Sequence, residues 1–339
     1  MRAPDVALVA RARGIAMHFL TRPVLDALAG AGDLAGLDRE IRRLGCDLDP
    51  IGENIDIAAV DRAIGRTAQR HLRTLVRWQT RRPGVLDVFV ASLDRRALRA
   101  LIRGAVQGAP PAARLDGLLP TPLLPQRVLV DLAREASAAA VVSALERLRH
   151  PGVADLLPLV RQAQPDLLPI EAALLRGFAA RARAAAAKTD RHLRQYVGEL
   201  VDSGNLHNAL LVAGSPHDLA TDAYFIEGGR WLSQEAFVAA ARSTSRDAAA
   251  ASLRATLIAS PLASLPLIAG DAASLERAFL IDALRRYSGA ARCEPLSSAF
   301  LLAVLLRLDV QGRDLRTIAW GAVFDSPPGR RRQELMTPP

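Results

Sequence analysis

Two short patterns each recur three times along the chain at one spacing, and any fold it adopts must accommodate that. The first reads Val60-Asp61-Arg62-Ala63-Ile64, Ile170-Glu171-Ala172-Ala173-Leu174 and Leu275-Glu276-Arg277-Ala278-Phe279. The second is Leu93-Asp94 with Leu98, Val201-Asp202 with Leu206, and Leu308-Asp309 with Leu315. The acids of the first set lie 110 and 105 residues apart, those of the second 108 and 107. Within the three copies the two markers are 33, 31 and 33 residues apart. Composition bias does not hold two independent markers in one register. Apolar helices predicted to begin near Leu25, Leu129 and Phe237 keep the same period, at 104 and 108 residues.

A period near 107 residues is far longer than the ~20–50 residues of solenoid repeats. Each copy is large enough to be a bundle of roughly five helices, at about 11–12 residues per helix plus loops. The predicted units are 1–122, 123–228 and 229–339. Five prolines fall between Gly108 and Pro125, and Gly214-Ser215-Pro216 to Gly228-Gly229 is rich in turn formers, which suits these joins. Three like bundles in one chain imply a pseudo-threefold ring or cone.

The fold class follows from composition and periodicity. Ala, Leu and Arg, all strong helix formers, dominate, while aromatics make up only 4% of the 339 residues. Val60, Ile64, Ala68, Leu72 and Val76 recur every fourth residue, as do Ile170, Leu174, Phe178 and Ala182. No convincing period-two run is present. The expectation is all-α.

The same sequence excludes several classes. With 50% hydrophobic residues a core can be buried, so disorder as the main state is out. The longest stretch without Asp, Glu, Lys or Arg is Ala255 to Gly270, 16 residues with Pro261 and Pro266 inside, too short for a membrane span. Arg11, Arg13 and Arg22 break up the N-terminal apolar stretches, so no secretory signal is expected. Two cysteines, Cys46 and Cys293, cannot make a disulfide framework or a zinc ribbon. The expectation is a soluble protein of a reducing compartment.

Catalytic chemistry is hard to find. None of His18, His71, His150, His192, His207 and His217 has metal-ligand spacing, and a surface polar role is preferred for His207 and His217, near Pro216. No Walker loop, dinucleotide fingerprint or nucleophile elbow occurs. Gly228-Gly229-Arg230 has the makings of an N–H cradle for a phosphate, but without a second glycine-rich segment it reads as a plain turn. No metal, cofactor or small-molecule substrate is expected.

The formal charge of +9 points to an anionic or acidic partner. Arg81-Arg82 and Arg330-Arg331-Arg332 are the clusters, the latter read as a solvated basic tail between proline pairs. Asp94, Asp202 and Asp309 are each predicted to end one helix and to cap the next. The polar loops expected after them form a candidate docking rim, with Arg95, Arg96 and Arg99 in the first copy, Asn205 and His207 in the second, and Arg313 and Arg316 in the third. The bland alternative is three solvated caps.

Tyr196-Val197-Gly198-Glu199-Leu200-Val201-Asp202 with Asn205-Leu206, then Ala223-Tyr224-Phe225-Ile226 and Gly228-Gly229-Arg230-Trp231, resembles the central block of the C-subunit family of V-type and A-type rotary ATPases (ATP synthases). The eukaryotic counterpart is the d subunit of the vacuolar enzyme. Ala10-Arg11-Ala12-Arg13 resembles that family's opening, and Glu294-Pro295-Leu296 through Phe324 and Pro327 its last repeat. The Tyr and Asn that commonly precede the first Arg motif are absent, with Leu8 and Val9 nearby instead.

The resemblance implies a helical funnel of three similar bundles without a catalytic site. It further implies a central-stalk protein on the cytoplasmic face of the membrane. Its partners would be the rotor ring of proteolipid subunits and the central-shaft subunits of D and F type, in a complex that links ion transport to ATP synthesis or hydrolysis. The rival reading is a basic helical nucleic-acid-binding or scaffold protein. Scattered Trp78, Trp231 and Trp320 argue against single-strand binding, which uses stacking aromatics.

Overall fold

In the computed structural model the described residues are 6–80, 83–153, 155–214, 221–267 and 272–338. Among them the chain is all-helical, with no strand. The helices are α1 (Val6–Ala16), α2 (Arg22–Leu28), α3 (Leu34–Arg43), α4 (Ile57–Trp78), α5 (Val85–Val106), α6 (Pro111–Leu115), α7 (Gln126–Ala133) and α8 (Ala138–Arg147). They continue as α9 (Leu157–Val160), α10 (Leu167–Ala186), α11 (Arg191–Val212), α12 (Gln234–Ala241), α13 (Arg246–Leu257), α14 (Ala272–Cys293), α15 (Ser298–Val323) and α16 (Pro328–Gln333). The expectations at Arg81-Arg82, at Ser215-Pro216 and at His217 lie outside the described residues.

The element order carries the period. Two short helices followed by two long ones recur: α2–α3–α4–α5, α12–α13–α14–α15 and, with the four-residue helix α9 inserted, α7–α8–α10–α11. Leu25, Leu129 and Phe237 are each the fourth residue of the opening short helix, and each is at most 1% exposed. The caps repeat as well. Asp33 accepts from the Gly36 N–H at 2.6 Å, Ser137 from Ala140 at 3.2 Å and Ser245 from Ala248 at 3.1 Å, all at the start of the second short helix. A side-chain oxygen there satisfies an N–H that the helix itself leaves unpaired. Replacing Ser137 or Ser245 by Ala is expected to lower stability by about 1 kcal/mol each in urea unfolding.

Helix faces follow the sequence pattern. In α4 the buried stripe is Val60, Ile64, Ala68 and Leu72; in α10 it is Ile170, Leu174, Phe178 and Ala182. The chain divides into two compact units. One comprises Pro83–Asp116 and Leu123–Phe279; the other the described parts of Ala3–Arg82, Gly117–Pro122 and Leu280–Pro339. In the first, α10 packs against both α5 and α11, and α11 against α12. In the second, α15 packs on α4 and α1, around Leu25, Leu28, Leu37, Ile41, Val60, Ile64, Leu315 and Ile318.

The ends of α5 and α15 share a device that the sequence reading missed. Ten residues after Gly104 and after Gly321 stands an arginine, Arg114 or Arg331, in a short helix opened by Pro110-Pro111 or Pro327-Pro328. A Cβ on Gly104 would lie 2.7 Å from Cγ of Arg114, and one on Gly321 2.8 Å from Cγ of Arg331, so only glycine lets the arginine stem through. The guanidinium then reaches carbonyls that the end of a short helix leaves open. Arg114 donates to Glu135 O, after α7, at 2.7 Å, and Arg331 donates to Ala29 and Ala31, after α2. The basic tail is therefore solvated only in part: Arg331 is 3% exposed, while Arg330 and Arg332 stay exposed.

Candidate docking surface

The helix caps expected at Asp94, Asp202 and Asp309 are not formed. All three lie inside long helices, in α5, α11 and α15, and are 3%, 0% and 6% exposed. No loop follows them. Helix propensity at a single Asp is a weak preference, and the apolar stripe continuing through Leu93, Ala97 and Leu101 overrides it.

Each Asp meets a partner other than the start of a following helix. His150 Nε2 stands 3.6 Å from Asp94 Oδ2, while His150 Nδ1 accepts from the Gly152 N–H at 3.0 Å, which assigns the ring proton to the Asp94 side. Asp309 pairs with Arg313 one turn on, at 3.6 Å.

Asp202 fills a nest. Its Oδ2 accepts from the backbone N–H groups of Arg230 at 2.7 Å and Trp231 at 3.0 Å, and Oδ1 from Leu232 at 3.3 Å. The turn at Gly228-Gly229-Arg230 thus presents N–H groups to an anion, and the anion is the protein's own. Burial pushes the Asp202 carboxyl above its ordinary range; the three N–H bonds oppose that, and nearby Glu199 adds to it. Asn205, one helical turn below, is 0% exposed and both donates to and accepts from the Ile226 backbone, at 2.8 and 2.9 Å. It has no surface to offer a partner; it belongs to the core.

The acids of the first marker set are ion-pair partners. In the first unit Glu171 of α10 accepts from Arg103 of α5 and faces His207 of α11 at 3.8 Å. Glu276 of α14 accepts from Arg99 at 3.1 Å and Arg96 at 3.5 Å, both of α5. In the second unit Arg316 of α15 donates to Asp61 of α4. The recurrence read as a helix pattern is therefore also a recurrence of acid–arginine pairs between long helices.

Arg95, Arg99 and Arg103 stand four residues apart on α5, so they share one face, with Arg96 beside them. Arg95 lies over the Phe178 ring at 5.4 Å, and its buried Nε has no hydrogen-bond partner. Burial, reinforced by the charge of Arg99, brings its pKa down to about 10. Glu171 moves the opposite way. Burial alone would raise it, yet the nearby His207 imidazole and the hydrogen-bonded Arg103 charge hold it at about 2. Four arginines against two glutamates leave a surplus of positive charge on this face. Arg96 and Arg99 keep 22% and 27% of their side-chain surface exposed, His207 17%, Arg313 30% and Arg316 13%.

Of the rim residues expected from sequence, the structure brings Arg95, Arg96, Arg99 and His207 together in the first unit and places Arg313 and Arg316 in the second. Arg103 completes the cluster; its position two turns after Arg95 was the available signal. Among the described residues no group of His, Cys, Asp and Glu could hold a metal, and no helix is long and apolar enough to cross a membrane.

What these features define is a repetitive helical protein whose polar groups are engaged in holding helices to one another. Comparison with known proteins makes this specific. A family model described as "ATP synthase (C/AC39) subunit" matches residues 8–334, and the chain belongs to that family. Among its relatives are the C subunits of the V-type ATP synthase from two strains of Thermus thermophilus. Each is 28% identical over 285 residues, covering 82% of this chain and 83% of the relative. The chain is accordingly one component of an ATPase complex and not itself an enzyme.

Proposed function

We propose that this protein is the central-stalk component of a rotary V/A-type ATPase, on the cytoplasmic face of the membrane. It acts as a socket that couples the central shaft to the proteolipid rotor ring. The family match along nearly the whole chain carries this reading. The threefold element order supports the accompanying architecture: bundles at 1–122, 123–228 and 229–339, arranged with pseudo-threefold symmetry as a funnel.

A coupling protein transmits torque, so stiffness matters more than any reactive group. Close-packed helices supply it, because cores at crystal-like density deform little. The arginine face of α5 offers the docking charge. Charges at such a face speed and orient encounter more than they add affinity.

The test is reconstitution with shaft subunits of D and F type and with the ring. The expected result is stable assembly with both, and ATP hydrolysis that drives ion transport only when this protein is present. Substituting Gln for Arg96 and Arg99, which removes charge without reversing it, should slow assembly and flatten its salt dependence, because less attraction is left for salt to screen. Failure to assemble with either partner, together with salt-sensitive retention of DNA or RNA, would overturn the proposal in favour of a nucleic-acid-binding scaffold.

A further inference from the structure

An open cleft of about 600 Å³ runs between the second half of α10 and the first half of α11, within the first unit. Its floor is made of small side chains, among them Ala180 and Ala184 on α10, Ala187 at its C-terminal end and Gly198 on α11. The two charged groups lining it are Arg183 and Arg194, and none of the lining residues is acidic. It shares no residue with the arginine face of α5.

The two guanidinium groups are held in place. Arg194 donates to the Thr189 carbonyl at 2.8 Å. Arg183 passes its stem over Gly228 and donates to the Glu227 carbonyl at 3.5 Å. Gly228 has φ +109°, a conformation natural to glycine, and any side chain there would overlap the Arg183 stem. Both arginines are nevertheless exposed at the surface. The backbone carbonyls thus fix where two positive charges stand along the cleft.

We propose that this cleft receives an acidic amphipathic helix of a partner protein. The cleft's shape favours a helix over a small molecule, because small-ligand sites enclose ~70–90% of their ligand and this one is broadly open to solvent. Exposed alanines in a row let another helix approach closely, toward the short end of the ~8–10 Å range of interaxial distances. Glutamates on that helix would meet the guanidinium forks, which match carboxylates in a bidentate manner. The proposal is independent of the shaft-and-ring reading, since it rests on a different surface and on charge and shape alone.

The probe is a synthetic, end-capped helical peptide of about 18 residues with one Ala face edged by Glu, and the same peptide with Gln for Glu. Binding to the full chain is followed by fluorescence anisotropy at about 0.15 M salt. The Glu peptide should bind saturably. Its affinity should fall about tenfold in the Arg183→Gln/Arg194→Gln variant, the loss expected for two charge-assisted pairs. A similar loss is expected in Ala184→Trp, which fills the cleft and leaves the charges. The charge-matched control Arg73→Gln/Arg77→Gln, at exposed sites in the second unit, should bind as the parent does. Equal binding of Glu and Gln peptides, or equal losses in the control and the Arg183/Arg194 variant, overturns the proposal. So does retention on phosphatidylglycerol vesicles that depends on Arg183 and Arg194 while the peptide is ignored, since that outcome assigns the cleft to a lipid surface.

Discussion

Replacing Asp202 by Ala should cost the protein about 2–3 kcal/mol of stability, because the one buried N–H it serves would lose its partner at about 1–3 kcal/mol and the two part-buried ones at about 0.5–1.5 kcal/mol each. Arg230, Trp231 and Leu232 all donate to this one carboxylate, which is 0% exposed. Urea unfolding reads the loss. Hydrogen exchange should localise it, with amides 230–232 exchanging faster while α4 in the second unit is unchanged. Asp202→Asn retains one acceptor oxygen but turns an N–H₂ toward backbone donors, so it should not rescue. Unchanged protection of 230–232 in the Ala variant would show that the nest does not depend on the carboxylate.

Glu171→Gln should produce an effect of about 3 kcal/mol whose size depends on pH. The folded carboxyl titrates at about 2 against an ordinary value of 4.5. A depressed carboxylate pKa stabilises the fold wherever the unfolded state would also be ionised, above about 4.5, and loses that contribution as pH falls toward 2. The gap between parent and variant should therefore be full at pH 6 and nearly closed at pH 2. At neutral pH the variant also leaves Arg103 without its acid and takes one of two acids from beside Arg95. A gap that stays constant between pH 6 and pH 2 would refute the electrostatic account.

Much of this architecture was legible in the sequence because helix periodicity and marker spacing are local or near-local signals. The stripe Val60–Ile64–Ala68–Leu72 predicts the buried face of α4, and Leu25, Leu129 and Phe237 mark equivalent short helices. What the sequence did not disclose depends on long-range partners. Asp94, Asp202 and Asp309 look like caps because Asp competes for nearby backbone N–H groups. The structure instead gives them His150, a turn 28 to 30 residues away, and Arg313. Arg331 looked like a solvated tail because charge runs usually are. Only its match to Arg114, each three residues after a Pro-Pro pair and ten after a helix glycine, could have betrayed it.

The Arg331 hook has a bearing on synthesis. It joins the last short helix to carbonyls of Ala29 and Ala31, 302 and 300 residues upstream, and Arg22 likewise donates to the Thr337 carbonyl across 315 residues. The second unit therefore cannot close until almost the entire chain has left the ribosome, and its early segments must wait for partners made last. The first unit is complete by Phe279 and can fold while the remainder is still being translated. The order of emergence gives the nascent chain a finished half before its N-terminal helices have anything to pack against from α15, so the exposed apolar faces of α2, α3 and α4 are the ones a chaperone would have to cover.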